Sequence, residues 1–200
     1  MPINKEREYR SMPILARQEE NEECRVKGYA TTFNQPYTLF EFDGVEYKEE
    51  IDRNAFDECD MTDVVFQYNH SGMVYARSRA KKGLPTLRLT TDEHGLDVDA
   101  DLSSTKASRE LFEAIDKGLI DQMSFGFSVA EDTYDEKTHT RRITKIKKLY
   151  DVSAVDFPAN PNTQIDVATR SAFDGFIESE KKEILRRAKD KLLLLLELEK

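Results

Sequence analysis

Three residues of this chain have the side-chain types needed to cleave an acyl bond. Ser124 lies in a run of small polar and apolar residues that alternate over 122–129, His70 follows the apolar run 64–68, and Asp151 precedes the apolar run 152–155. A serine hydroxyl is a weak nucleophile, so it needs a base to take its proton and a third group to hold that base. These residue types predict acyl transfer, with Ser124 as nucleophile, His70 as base and Asp151 as orienting acid.

Each of the three residues also has a structural interpretation, which the spacing alone favours. His70 would be a surface or core histidine, Ser124 would lie on the solvent face of a strand, and Asp151 would be a charge near a strand end. Gly126 shares the face of Ser124, where a missing side chain would leave room for a substrate backbone. Asp156 competes for the role of the acid, but strand alternation places it on the opposite face from Asp151.

Composition excludes several classes of function. Charged residues make up 34% of the chain and the formal net charge is −9, which argues against general nucleic-acid binding. The two cysteines, Cys24 and Cys59, form no C-x-x-C pair or cluster with histidine, so neither a metal site nor a disulfide framework is expected. No signal peptide is evident, and the apolar run 192–196 is too short to span a bilayer. We therefore predict an intracellular protein with no cofactor, metal, nucleic-acid or membrane partner.

The pattern along the chain predicts three parts: a flexible charged N-terminus over 1–23, one domain over 24–170 and an amphipathic helix over 171–200. Within the domain, period-two alternation and turn residues predict many short strands. They are expected at 25–33, 63–70, 86–90, 95–101, 121–129 and 140–157, with a helix over 105–117. Residues 37–46 are expected to form a hairpin that turns at Asp43 and Gly44, and its returning strand is expected to continue over 47–51. The fold class is α+β and mainly β, an antiparallel β-barrel or sandwich with helices packed outside.

Seven short segments between residues 25 and 165 follow one another in an order typical of one protein family. They are residues 28–34, 50–56, 68–70, 87–89, 95–96, 122–127 and 152–161. In these segments the sequence resembles the prohead, or capsid maturation, proteases of tailed bacteriophages. Each segment is weak alone, but seven in order are specific.

The resemblance implies a serine endopeptidase that acts in the host cytoplasm, inside the viral prohead, and cleaves scaffold and/or the N-terminal region of the major capsid protein. It also implies the herpesvirus assemblin fold, a β-barrel ringed by helices that works as a homodimer. By motif, His70 is the base and Ser124 the nucleophile. The phage family typically has glutamate before Val-Ser, where this chain has Asp151, one methylene shorter. The turn at 157–161 is interpreted as a source of backbone amides for the oxyanion.

The sequence leaves two alternatives to a protease. The charged termini and the leucine-rich tail suit a non-catalytic scaffold or assembly protein on the same fold. An esterase or lipase is disfavoured because the chain has no Gly-x-Ser-x-Gly elbow and its strand-rich order does not suggest an α/β-hydrolase.

Overall fold

Ten strands and two helices make up the part of the chain that the structure, a computed structural model, describes: residues 7–14, 24–81, 83–156 and 167–198. In chain order they are β1 (Glu8–Pro13), β2 (Arg25–Thr32), β3 (Tyr37–Phe42), β4 (Val45–Ile51), β5 (Val65–Tyr68), β6 (Ser71–Arg77), β7 (Leu87–Thr91), β8 (Gly95–Asp101), α1 (Lys106–Asp116), β9 (Gln122–Asp135), β10 (Thr140–Val155) and α2 (Val167–Leu198). The predicted α+β, mainly β class is confirmed.

The described strands form two sheets, and they do not close into the antiparallel barrel that the resemblance led us to expect. One sheet has seven strands: five follow the order β1-β9-β10-β4-β3, β5 pairs with β10, and β6 pairs with β5. The other has the order β2-β8-β7. Because β10 is 16 residues long, one of its edges holds two different strands in parallel, β4 near its start and β5 near its end. Its other edge pairs antiparallel with β9, so the large sheet is mixed.

The two sheets and α1 share one apolar core. On β9, the side chains of Met123, Phe125 and Phe127 are fully buried. They belong to the same cluster as the apolar residues of β2 and β8, and as Leu111 and Phe112 of α1. Burying each such side chain contributes about 1.5–3 kcal/mol. This core fixes the orientation of β9, so its opposite face carries the small polar residues.

Strand β1 lies within the N-terminal segment that the sequence predicts to be flexible. Arg10 forms ion pairs with Glu8 and Glu49, and Arg141 also pairs with Glu8; all four side chains are buried. Charges that suggest a solvated tail in the sequence therefore meet opposite charges supplied by β4 and β10. Residues 8–13 thus form a paired strand where the sequence predicts a flexible segment, whereas residues 1–6 and 15–23 lie outside the described residues.

The C-terminal helix α2 begins at Val167, not at residue 171 as predicted. Phe173 is fully buried and packs edge-on against the ring of Tyr47 on β4. Further along, Ile184 and Leu185 are 65% and 69% exposed. The apolar stripe that the sequence indicates therefore packs on the sheet at its first part and faces outward at these two residues.

Candidate active site

His70 lies in the tight turn between β5 and β6, two residues after β5 ends, whereas the sequence predicted it as the last residue of the strand. Tyr68 and Ser71 pair across the hairpin, and between them Asn69 and His70 have φ angles of 49° and 54°. Two consecutive positive φ angles are those of a type I′ turn, a conformation that non-glycine residues seldom adopt. The Asn69 N–H donates to the carbonyl of Ala154 on β10 at 3.0 Å. This hydrogen bond holds the turn against β10, the strand that carries Asp151. Residues with strained backbone angles, such as Asn69 and His70, cluster at functional sites.

Ser124 lies on the small polar face of β9, which is flanked by β1 and β10 in the seven-stranded sheet. It is opposite Ser11 of β1 on one side and Ser153 of β10 on the other. Ser124 is only 1% exposed. The interpretation of this face as a solvent face is therefore wrong at Ser124.

Asp151 reaches the same face through an irregularity in the β9–β10 ladder. Leu149 pairs with Phe127 and Asp151 pairs with the next residue, Gly126, so Tyr150 is an extra residue on β10. A bulge of this kind redirects the side chains that follow it. The side chain of Asp151 is 1% exposed.

The structure brings the three predicted residues into one hydrogen-bonded chain. Ser124 Oγ lies 2.7 Å from His70 Nε2, and His70 Nδ1 lies 2.5 Å from Asp151 Oδ1. With its proton on Nδ1, the imidazole donates to the carboxylate, and its Nε2 accepts from the serine hydroxyl. The order nucleophile, base, acid is the one that serine acyl transfer requires.

Gly126 has a different role from the one the sequence suggested. A Cβ atom at this position would lie 2.5 Å from Asp151 Oδ2 and 2.8 Å from Cε1 of Tyr9. The space that the missing side chain leaves is therefore occupied by the carboxylate and by the tyrosine ring, not open to a substrate backbone. Glycine is required here because Asp151 must come this close to β9.

Ser153 also contacts the site, although its position in the sequence does not indicate a role there. Its hydroxyl donates to Asp151 Oδ1 at 2.9 Å, and this is the same oxygen that His70 contacts. The period-two spacing of the two β10 residues could have indicated a shared face. The competing acid, Asp156, is exposed and accepts a hydrogen bond from the Tyr68 hydroxyl at 3.1 Å, so it is not part of the chain of contacts.

The remaining sequence predictions concern the two cysteines, a metal site, a membrane span and the turn at 157–161. Among the described residues, neither Cys24 nor Cys59 forms a disulfide; burial raises the pKa of the Cys59 thiol to about 11, so this thiol is protonated at neutral pH. Across the described ranges, no group of three or more His, Cys, Asp or Glu side chains could hold a metal ion. Nor does any helix there have the length and apolarity to cross a membrane. The turn at 157–161, expected to supply oxyanion-binding amides, lies outside the described residues.

Comparison of the sequence with known proteins places the chain in a family. A family described as caudovirus prohead serine protease matches residues 11–175. The prohead protease of Enterobacteria phage HK97 is 35% identical over 88 residues, which are 44% of this chain and 38% of that protein. The match thus covers well under half the length of this relative. No solved structure is significantly similar to the chain. Since the family match covers most of the sequence, the chain belongs to the caudovirus prohead serine protease family.

Proposed function

We propose that this chain is a serine endopeptidase in which Ser124 is the nucleophile, His70 the general base and Asp151 the orienting acid. The observation that carries the proposal is the unbroken contact chain from Ser124 Oγ through both ring nitrogens of His70 to Asp151 Oδ1, with distances of 2.7 Å and 2.5 Å. Both distances are within the reach that proton transfer requires. Membership of the family adds independent support.

In the proposed reaction, Ser124 attacks the scissile carbonyl while His70 takes the hydroxyl proton on Nε2. Asp151 holds the ring and stabilises the imidazolium that forms. His70 then returns the proton to the leaving amine, and an acyl group remains on Ser124. In the second half, His70 activates a water molecule that hydrolyses this ester and restores the serine hydroxyl.

The aspartate is compatible with a role that the phage family typically gives to glutamate. Asp151 is one methylene shorter, yet its carboxylate contacts His70 because two features of the sheet bring it close. The extra residue Tyr150 redirects the strand, and Gly126 leaves the space that the carboxylate fills. The shorter side chain and the missing Cβ on the neighbouring strand thus compensate for one another.

The proposed substrates are the scaffold and/or the N-terminal region of the major capsid protein. The family's description and the printed name of the HK97 relative both refer to the prohead, which supports a role in capsid maturation. Action inside the prohead, in the host cytoplasm, and a homodimeric state are part of the same proposal. They rest on the resemblance.

Co-expression with the capsid protein and scaffold of the same phage tests the proposal. Wild-type protein should yield shortened subunits, and Ser124→Ala should yield full-length ones, because loss of a triad nucleophile costs about 10⁶-fold in rate. The matched control is Ser128→Ala. Ser128 lies on the same face of β9, is buried, and its hydroxyl makes no hydrogen bond to the described residues. Ser128→Ala should therefore cleave like the wild type.

Two results would contradict the proposal. Normal cleavage by Ser124→Ala would remove Ser124 from its role. Full-length subunits with wild type and variants alike would favour the alternative, a non-catalytic scaffold or assembly protein on the same fold. Mass spectrometry of the subunits reports both the activity and the position of the cut.

A further inference from the structure

Tyr9, in the N-terminal strand β1, packs directly on the proposed base. The ring centroids of Tyr9 and His70 are 4.3 Å apart, and the rings are tilted by 57°. Tyr9 is paired with Gly126, the residue whose missing side chain also makes space for Asp151. The tyrosine ring therefore contacts the imidazole and borders the carboxylate at the same time.

A second residue of the N-terminal segment approaches the proposed acid. Asp151 Oδ2 is buried and makes no hydrogen bond to the described residues. Arg7 Nη1 lies 3.8 Å from this oxygen, and the guanidinium stacks over the ring of Tyr150 at 3.9 Å. Arg7 thus brings a positive charge to the carboxylate oxygen that His70 does not use.

Buried ion pairs hold β1 in the register that places these two side chains. Arg10 donates to both carboxylate oxygens of Glu49, at 2.5 Å and 2.7 Å, and Arg141 donates to both oxygens of Glu8, at 2.7 Å and 3.0 Å. If β1 left the sheet, Glu49 and Arg141 would each lose a buried partner of opposite charge, which is unfavourable. The ion pairs therefore make dissociation of β1 from the sheet unfavourable.

We propose that β1 completes the catalytic centre, with Tyr9 positioning the imidazole of His70 and Arg7 positioning the carboxylate of Asp151. This inference rests on the proposed function. The opposite role would be a displaceable cover, because β1 pairs with β9 beside Ser124, where a substrate strand could otherwise add. The buried ion pairs of Glu8 and Arg10 favour a strand that completes the site, because a cover that has to leave the sheet would have to break them.

Covalent labelling of Ser124 by diisopropyl fluorophosphate tests the inference on the full-length protein. The reagent phosphorylates an activated serine with release of fluoride, and its small size makes labelling independent of peptide binding. Tyr9→Leu should slow labelling about 10- to 100-fold, because small displacements of a reacting group have effects of this size. Tyr9→Phe keeps the ring and should label within about twofold of the wild type.

The matched control is Tyr29→Leu. Tyr29 lies on β2 in the other sheet, and its hydroxyl donates to Asp92 at 2.6 Å, so the same substitution there should leave the labelling rate unchanged. Arg7→Gln changes a side chain that is 47% exposed, which puts the fold at little risk. Arg7→Gln should slow labelling about threefold, because a partly exposed ion pair contributes an effect of about this size.

The outcomes separate the inference from the proposed function. No labelling of wild-type Ser124 would overturn both. Labelling of the wild type with an equal or faster rate for Tyr9→Leu would overturn the inference alone, and a faster rate would identify β1 as a cover. If Tyr9→Phe slowed labelling as much as Tyr9→Leu does, the inference would also be overturned. If Tyr9→Leu does not fold, Arg7→Gln decides, and an unchanged rate there contradicts the inference.

Discussion

Ser124 and Ser153 lie directly opposite each other on β9 and β10, and each makes a hydrogen bond to one of the other two proposed catalytic residues. Ser124 contacts His70, and Ser153 donates to Asp151. The backbone ladder between the two strands therefore sets the spacing between the proposed nucleophile and the group that supports the acid. Sites on strands are held more precisely than sites on loops.

Ser153→Ala should lower the rate of Ser124 labelling by about tenfold. The substitution removes one hydrogen bond to a carboxylate, and such bonds contribute about 1.5–3 kcal/mol. The rate constant for diisopropyl fluorophosphate is the measurement, with Ser128→Ala as the control on the same face of the sheet. A rate equal to that of the wild type would show that Asp151 is held without Ser153.

Asp151→Asn should lower capsid-protein cleavage by about 10⁴-fold, the effect of removing the orienting acid from a serine triad. An amide in place of the carboxylate leaves the shape of the site intact but no longer stabilises an imidazolium. Asp156→Asn is the matched control: it changes the exposed acid nearby and should cleave normally. If the two variants had equal effects, the third role would belong elsewhere.

Much of this fold could be predicted because its signals are local. Alternation and turn residues predict strands β2–β5 and β7–β10. The helical spacing of Leu111, Phe112 and Ile115 predicts α1. This helix begins after Thr105, whose side chain accepts a hydrogen bond from the Ser108 N–H. The parallel pairings of β10 could not be predicted, since they depend on which distant strands meet its free edge. Strand β1 was missed because its charges suggest a solvated tail until their partners, Glu49 and Arg141, are known.

The site itself was predictable in its residue types but not in its geometry. His70, Ser124 and Asp151 were named as candidates, while the features that bring them together depend on backbone conformation. These are the left-handed turn at His70 and the extra residue at Tyr150. Ser153 was missed for the same reason, since a serine beside an acid becomes informative only when the pairing across the sheet is known.

Gly126→Ala should abolish most activity and destabilise the protein. Its Cβ would lie 2.5 Å from Asp151 Oδ2 and would push the carboxylate away from His70. We expect a loss of at least about 100-fold in the labelling rate. Gly175→Ala is the control, because nothing lies within 4 Å of a Cβ there and alanine in a helix should stabilise the protein by about 0.5–1 kcal/mol. Full activity of Gly126→Ala would mean that Asp151 can move aside without cost.

The stability of the protein should depend on the ionisation of Glu8 at acid pH. Burial raises the pKa of Glu8, but the positive charges of Arg10 and Arg141 outweigh it and hold the pKa below its ordinary value of 4.5. Because the pKa is lower in the folded state, ionised Glu8 contributes stability that is fully present above pH 4.5 and is lost as the pH falls through the folded-state pKa.

Urea unfolding of the wild type and Glu8→Gln over a range of pH measures this contribution. At neutral pH, Glu8→Gln should lower the free energy of unfolding by roughly 3 kcal/mol, because it leaves buried guanidinium groups with one partner fewer. As the pH falls from about 4.5 through the lower folded-state pKa of Glu8, the gap between the two proteins should narrow, because protonation removes from the wild type the charge that Glu8→Gln lacks. Other carboxylates titrate in both proteins, so the difference isolates Glu8. A constant gap across the acid range would mean that Glu8 is not ionised in the ion pairs that fasten β1, and that its effect on stability is one of packing.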